Sequence, residues 1–391
     1  MSRAEQVSTP YQRDAVTWAA FGALFGFGIL NAVLGPALPF LRAELGLSYF
    51  TASLHQVAFA LGGGTAGLLA ASGRSRLSRR TTVVGGLAGA GLAGLGIGFG
   101  PDVVVTVGAA YVASACATSS LIAVWATLAD VHARHRAVAM TEGEVAVSLA
   151  GVATPLLVAL LAGTALGWRS AFAVTTAVAL LTAASVFAVG VPPASAPPDP
   201  SAVPRRLPPT LLTIFAVVAL EFVLSFWLAS YLDDEVGLSS GLAAGTVAVL
   251  YAAHLLGRIL TSRVARRVPP RTLIVAALLG VLLGSPALLS NGVTWLVIVG
   301  IAVVGAGTGA LFPLASSLHV QASARGADGA LGQTLTVAAL AQVVGPLGAG
   351  ALAQAADLRV GLLLVPGFAV LAGLSLLRRA PRRRADHHAG G

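Results

Sequence analysis

Twelve apolar stretches of about 20 residues each dominate this chain and decide which folds are open to it. They lie near residues 15–39, 50–71, 81–100, 103–128, 139–163, 170–191, 210–231, 240–262, 272–290, 293–316, 331–355 and 360–377. A helix needs roughly 20 mainly apolar residues to cross the hydrocarbon core of a bilayer. Lipid cannot hydrogen-bond a free backbone, and the ten-residue alternation of a barrel strand is absent. The stretches therefore predict an all-α membrane protein with twelve transmembrane helices.

The composition excludes the common soluble classes. Only 10% of the 391 residues are charged, whereas soluble proteins carry about 25%. A water-soluble enzyme or nucleic-acid binder could not cover its surface with so few charges. A single cysteine, Cys116, excludes an internal disulfide and a cysteine-built metal site. No P-loop, HExxH, CxxC or nucleophile-elbow motif occurs, so we expect no cofactor, no metal and no catalytic residues.

The positions of the arginines predict the orientation of the helices. All 24 basic residues are arginine, and 21 of them lie on one side if the chain starts in the cytoplasm. The three on the other side are Arg42, Arg169 and Arg359. Cytoplasmic loops carry an excess of basic residues, so both termini are predicted to be cytoplasmic. The net charge of +9 is then a topology signal and indicates no nucleic-acid partner.

A proline-rich segment divides the twelve stretches into six and six. Residues 192–209 contain eight prolines, and such a run forms a stiff, extended linker because proline cannot continue a helix. We predict an N-terminal six-helix bundle at 1–191, a cytoplasmic linker at 192–209, a C-terminal bundle at 210–377 and a basic cytoplasmic tail at 378–391.

The two halves repeat each other at an offset of about 191 residues. The segment Glu44–Ser48, Glu-Leu-Gly-Leu-Ser, returns as Glu235–Ser239, Glu-Val-Gly-Leu-Ser. The other matched positions are Arg76 with Arg267, Arg80 with Arg271, Arg134 with Arg325, Pro155 with Pro346 and Arg169 with Arg359. Two six-helix halves related by a repeat are typical of secondary transporters, whose site lies between the halves.

Several segments resemble motifs of the major facilitator superfamily. Residues 71–80, Ala-Ser-Gly-Arg-Ser-Arg-Leu-Ser-Arg-Arg, are similar to the family's Gly-x-x-x-Asp-Arg-x-Gly-Arg-Arg loop between the second and third spans. Ser75 stands at the Asp position, and both glycine positions differ. The segment 167–172, Gly-Trp-Arg-Ser-Ala-Phe, resembles the family's entry to the sixth span, and 345–350 resembles its antiporter Gly-Pro motif.

The resemblance implies two bundles that open a central cavity alternately to each side, lined by spans one, four, seven and ten. Loop arginines and acidic partners would hold a cytoplasmic gate. The candidate gate residues are Arg76, Arg80, Asp130, Glu142, Glu144, Arg267 and Arg271. The alternatives are a plain solvated helix end for Asp130, and a substrate role for Glu142 and Glu144.

Ionisable groups at bilayer depth are costly and are functional candidates by default. Glu221 lies in the middle of the seventh span, and His254 lies in the eighth. We predict that these two residues carry the coupling proton. The alternatives are a structural protonated carboxyl for Glu221 and a buried, hydrogen-bonded histidine for His254.

Other polar and aromatic residues inside the spans are candidates for lining the substrate cavity: Asn31, Gln56, Ser119, Ser120, Trp227, Tyr251, Arg258 and Gln342. Tyr251, His254 and Arg258 share one helical face. Three alternatives that assign these residues no part in substrate binding stay open. Arg258 would snorkel to the cytoplasm, the serine hydroxyls would bond their own helix, and Trp227 would belong to an interfacial aromatic belt.

The sequence therefore predicts a secondary transporter of the superfamily, a monomer in the bacterial cytoplasmic membrane. Its partners would be lipid, a small organic solute and H⁺ as the coupling ion. Sparse charges in the spans favour export of an apolar or drug-like compound over a sugar. Uptake of a small metabolite is the alternative. A transport-inactive receptor or a membrane-embedded enzyme on the same scaffold is the rival from another class.

Overall fold

Every regular element of the described residues is a helix. The computed structural model describes residues 11–72, 77–132, 135–193, 209–265, 267–290, 293–322 and 326–377. The helices are α1 (Ala15–Ala32), α2 (Leu34–Leu45), α3 (Tyr49–Ala71), α4 (Arg79–Phe99), α5 (Val103–Val131), α6 (Arg136–Ala162), α7 (Ser170–Val189), α8 (Pro209–Asp234), α9 (Ser240–Val264), α10 (Pro270–Leu288), α11 (Thr294–Thr308), α12 (Leu311–Ala322), α13 (Gly326–Ala355), α14 (Leu358–Leu362) and α15 (Leu364–Leu377).

These helices account for the twelve predicted spans. Eleven stretches are long and apolar enough to cross a membrane, and α3, with 23 residues, matches the remaining prediction. Three spans consist of two helices each, which are α1 with α2, α11 with α12, and α14 with α15. The all-helical membrane fold is therefore confirmed. The side of the membrane on which the termini lie stays a prediction.

The three broken spans share a proline just after the break. Pro36, Pro313 and Pro366 each stand three or four residues after a break. Proline has no N–H to donate to the carbonyl four residues earlier, and its ring crowds that carbonyl. The predicted spans did not include these interruptions, because hydropathy measures apolarity and does not register the absence of one backbone N–H donor.

Local signals in the sequence define several helix ends. The carboxylates of Asp14, Asp102 and Asp357 accept the backbone N–H three residues further on, and so begin α1, α5 and α14. The repeated Glu-x-Gly-Leu-Ser segment supplies a helix end in each half. Gly46 has φ 60° and Gly237 has φ 79°, a left-handed conformation that glycine adopts without steric cost.

The chain forms two compact units. Unit 1 comprises Met1–Leu47, Leu54–Pro200 and Ser239–Ala248. In it, α4 packs against α5 and α7, and α1 packs against α6 and α7. Its core contains the buried side chains of Leu24, Leu87 and Leu128.

Unit 2 comprises Ser48–Ser53, Ser201–Leu238 and Val249–Gly391. Here α8 is the central helix and packs against α13 and α15, while α10 packs against α11. The largest fully buried side chains of α8 are Trp227 and Tyr231. The predicted domain limits at 191 and 209 enclose a linker of which residues 194–208 lie outside the described part of the chain.

Candidate functional site

The candidate coupling residue Glu221 lies midway along the 26-residue helix α8. Its neighbours Leu220 and Val223 are completely buried, whereas Glu221 itself is half-buried. Its carboxylate interacts electrostatically with the hydroxyl of Tyr251 on α9. The sequence placed these residues on two different spans, and the fold brings them within electrostatic range inside unit 2.

His254 links α9 to the end of α11. Its Nε2 lies 2.7 Å from Oγ1 of Thr308, and that hydroxyl also donates to the carbonyl of Gly305 at 3.0 Å. The ring of Tyr251 meets the His254 ring edge-on, with 5.8 Å between the centroids. His254 is buried and hydrogen-bonded, which agrees with the alternative of a structural histidine. His254 therefore contacts Tyr251, whose hydroxyl interacts electrostatically with Glu221.

Arg258 reaches the break between α11 and α12. Its Nε donates to the carbonyl of Gly309 at 2.8 Å, and its charge also acts on His254. Gly309 stands four residues before Pro313, which has no N–H to offer that carbonyl. Tyr251, His254 and Arg258 thus lie along one face of α9, as predicted, and this face adjoins the break in the tenth span.

The predicted cavity residues of unit 1 differ in their surroundings. Asn31 is exposed, and Gln56 is buried with no hydrogen-bond partner for its Nε2 among the described residues. The Ser119 hydroxyl donates to the carbonyl of Ala115 one turn back at 2.8 Å. The Ser120 hydroxyl donates to the carbonyl of Val83 on α4 at 3.2 Å. Both serine hydroxyls therefore bond backbone.

The two remaining cavity candidates lie in unit 2. Gln342 is half-buried on α13. Trp227 is fully buried, and its indole N–H donates to the carbonyl of Pro346 at 2.9 Å. Its ring packs edge-on against Phe226 and Tyr49. The polar edge of Trp227 is thus occupied inside unit 2.

Two of the candidate gate arginines, Arg80 and Arg271, bind backbone within their own unit. Arg76 lies outside the described residues. Asp130 pairs with Arg79, at 3.0 Å, so the acidic partner expected for this loop is engaged by an arginine next to the predicted Arg80. Arg80 donates to the carbonyl of Phe187 near the end of α7 and stacks on its ring.

A matching contact occurs in unit 2. Arg271, the repeat partner of Arg80, donates to the carbonyl of Leu376 near the end of α15. Arginine near a helix C-terminus is favourable because that end carries partial negative charge. Arg267 is exposed. The repeat seen in the sequence therefore reappears as a shared contact, from an arginine beginning one helix to the end of another.

Glu142 binds the segment that precedes α1. Its carboxylate accepts two hydrogen bonds from Arg13, through Nε at 2.9 Å and Nη2 at 2.5 Å, and a third from the Tyr11 hydroxyl at 2.8 Å. The hydrogen bonds that Arg13 donates to Glu142 raise the pKa of the Arg13 guanidinium. Burial, reinforced by Glu142, raises the pKa of the Tyr11 hydroxyl. Glu144 is exposed.

Two histidines that sequence reasoning missed occupy equivalent places in the two units. His132, just after α5, has Nε2 2.7 Å from Oγ1 of Thr17, which donates to Asp14 at 2.6 Å. The Thr17 hydroxyl holds the pKa of the Asp14 carboxyl below its usual value. In unit 2, His319 has Nδ1 2.7 Å from Oγ1 of Thr210.

The signal that would have found this pair is weak. Each unit has a threonine in the first turn of its first helix and a histidine near the end of its fourth span. The offset between the two threonines is larger than 191 residues and the offset between the two histidines is smaller, whereas the arginine pairs keep an offset close to 191. In the described ranges, no group of three His, Cys, Asp or Glu side chains comes together.

The fold and these sites define a polytopic helical membrane protein with ionisable residues inside its spans. The sequence profile described as Major Facilitator Superfamily matches residues 20–327 and 210–390. The chain therefore belongs to the major facilitator superfamily, as its motifs predicted. A comparison with curated proteins finds no match.

Solved transporter structures share the fold. A bacterial homologue of the human lysosomal transporter Spinster has a TM-score of 0.75 at 17% identity, covering 96% of this chain and 100% of its own. A D-xylose–proton symporter has a TM-score of 0.73 at 16% identity, covering 94% and 98%. A variant of the nucleoside transporter NupG has a TM-score of 0.74 at 10% identity, covering 93% and 99%. At these identities the likeness concerns the fold, and family membership identifies the chain as a transporter.

Proposed function

We propose that this transporter is a proton-coupled secondary carrier that exports a small, largely apolar organic solute across the cytoplasmic membrane. It acts as a monomer, with Glu221 as the proton-carrying group. The alternative is uptake of a small metabolite by the same scaffold. The observation that carries the proposal is the half-buried carboxylate of Glu221 in the middle of α8, next to the completely buried side chains of Leu220 and Val223.

A carboxyl in this position suits a proton carrier. Burial among apolar side chains disfavours a charged carboxylate, whereas water or a nearby cation favours it. The charge state of such a group therefore depends on whether the surrounding space is wet or dry. Alternating access changes that condition in each cycle, so Glu221 can load and release one proton per turnover.

The occupied polar groups support an apolar solute. The hydroxyls of Ser119 and Ser120 and the indole N–H of Trp227 all donate to backbone carbonyls. A sugar site needs several side-chain donors and acceptors aimed at the ligand, and these three have their donors engaged. A transport-inactive receptor or an enzyme on this scaffold is the rival from another class, and a flux measurement separates the two.

The test uses the full chain in proteoliposomes. A ligand-induced thermal-shift screen first selects the solute, and its accumulation is then followed under an imposed pH difference. The substitution Glu221→Gln keeps the shape and hydrogen-bonding capacity of the side chain but cannot ionise. We expect it to abolish gradient-driven accumulation while solute exchange without a gradient continues.

The matched control is Glu235→Gln, at the residue directly after the end of the same helix. Glu235 accepts the backbone N–H of Leu358 through Oε1 at 3.2 Å, and glutamine retains that acceptor. The control should transport as the native chain does. If the Glu221→Gln protein still concentrates solute against its gradient, Glu221 is not the coupling group. The side of the membrane to which solute moves decides between export and uptake.

A further inference from the structure

The break in the tenth span leaves one backbone carbonyl without its usual helical donor. In a continuous helix the N–H of residue 313 would donate to the carbonyl of Gly309. Residue 313 is proline, which has no N–H. Helix α11 ends at Thr308 and α12 begins at Leu311. An unsatisfied carbonyl at bilayer depth is unfavourable, so such a group needs another donor.

The side chain of Arg258 supplies a donor to that carbonyl. Its Nε lies 2.8 Å from the Gly309 oxygen, within the normal range for an N–H···O hydrogen bond. Helix α9 can come this close to Gly309 because glycine has no side chain. A Cβ added there would overlap the backbone of His254, which lies one turn before Arg258 on α9. The backbones of α9 and the break are therefore in direct contact.

Further contacts tie this break to the proton-carrying candidate. Thr308, the last residue of α11, is bonded to Nε2 of His254. The His254 ring contacts Tyr251, and Tyr251 interacts electrostatically with Glu221. A change in the geometry of the break would therefore move His254, whose ring is in contact with Tyr251.

We propose that Arg258 is a positioning residue that replaces the N–H missing at Pro313, and so fixes the bend of the tenth span beside the Glu221–Tyr251–His254 group. Arg258 acts on the bend of the span through the carbonyl of Gly309, and its charge also acts on His254. Its contribution to the bend depends on the presence of proline at position 313. The link to proton coupling rests on the proposed function, whereas the structural role does not.

The dependence on Pro313 gives the proposal a specific test. Replacing Arg258 with glutamine removes the Nε donor, and replacing Pro313 with alanine restores the backbone N–H that Gly309 lacks. We expect Arg258→Gln to lower the midpoint of thermal denaturation of the purified full chain by about 2–4 °C, the scale of one such interaction. In the Arg258→Gln/Pro313→Ala double variant, most of that loss should disappear.

A second proline provides the matched control. Pro286 lies inside α10, in the same unit, and Pro286→Ala changes helix propensity without affecting Gly309. Rescue of Arg258→Gln by Pro313→Ala and not by Pro286→Ala supports the proposal. Equal rescue by both, or none by Pro313→Ala, overturns it. If Arg258→Gln alone does not fold, recovery of folded double variant is the supporting result, and failure to recover it overturns the proposal.

A transport readout separates positioning from mere stability. In proteoliposomes at a temperature where all variants are folded, Arg258→Gln should displace the pH profile of solute flux, and Pro313→Ala should return it toward the native profile. An unchanged profile in a folded Arg258→Gln variant overturns the link to the proton-carrying group. The denaturation experiment needs no solute, so its outcome is independent of whether the proposed function is correct.

Discussion

At the scale of single residues, the spans of this protein satisfy polar side chains mainly from within. Ser119, Ser120 and Trp227 all donate to backbone carbonyls, and His254 is bonded to Thr308. Lipid supplies no alternative partner, so a buried polar group in a span finds one inside the protein. Polarity makes these residues candidates for a cavity, but the sequence does not specify whether each side chain faces a cavity or a backbone carbonyl.

The indole of Trp227 offers a test of such internal bonding. Trp227→Phe removes the hydrogen bond to the Pro346 carbonyl and leaves a void where the second ring lay. We expect the free energy of unfolding to fall by about 1–2 kcal/mol, the sum of one modest hydrogen bond and a small cavity. Thermal denaturation in detergent would measure the loss.

The control for this prediction is Trp18→Phe. The Trp18 side chain is 61% exposed, so the same chemical change should leave the free energy of unfolding within about 0.5 kcal/mol of the native value. A Trp227→Phe variant as stable as the Trp18→Phe variant would show that the buried bond and packing contribute nothing measurable.

Ion pairs mark the limit of residue-level prediction. The sequence indicated that Asp130 would meet an arginine of the 74–80 loop, and Arg79 is its partner. The sequence also placed Glu142 with basic residues, and Arg13 is the one that binds it. Charge and position predict that opposite charges meet. The choice among neighbouring arginines depends on rotamers and helix rotation, which a hydropathy pattern does not contain.

At the scale of helices, the apolar stretches predicted the number and order of the spans well. The breaks at Val33, Gly309 and Leu363 were not predicted, because one proline in a span is compatible with either a break or a continuous helix. Pro155, Pro286 and Pro346 lie inside unbroken helices. Tertiary contacts, such as the one from Arg258 to Gly309, decide between the two.

Close packing of α9 on α11 yields a helix-scale prediction. A Cβ added at Gly257 would overlap the backbone carbonyl of Ala306 on α11, and a backbone atom cannot turn aside as a side chain can. We expect Gly257→Ala to push the helices apart and lower the free energy of unfolding by about 1–3 kcal/mol, the usual cost of overpacking. The measurement is chemical or thermal unfolding of the purified chain.

The control for Gly257→Ala is a glycine-to-alanine substitution at a position where an added Cβ has room. Gly280 on α10 has nothing within 4 Å of an added Cβ. Alanine there should leave stability unchanged or raise it by up to about 1 kcal/mol, because alanine favours the helical conformation over glycine. Equal stability of the two variants would mean that α9 and α11 separate at no cost.

At the scale of the whole molecule, the internal repeat is the main basis of the sequence prediction. The offset of 191 residues predicts two related halves. In the structure, Arg80 and its repeat partner Arg271 make the same kind of contact, each with a backbone carbonyl near the end of another helix. The solved transporters that share the fold are only 10–17% identical to this chain. The same fold is therefore reached by chains that differ at most positions.

The arginine distribution predicts the orientation of the whole chain in the membrane. Of the 24 arginines, 21 fall on the side assigned to the cytoplasm, and positive charge resists translocation across the membrane. A topology reporter fused after Gly391, or inserted at 195–200, should therefore report a cytoplasmic location. Reporters inserted beside Gly46 or Gly167, at the turns near Arg42 and Arg169, should report the opposite side. A cytoplasmic signal at these turns, or a periplasmic one at Gly391, would contradict the twelve-span orientation with both termini inside.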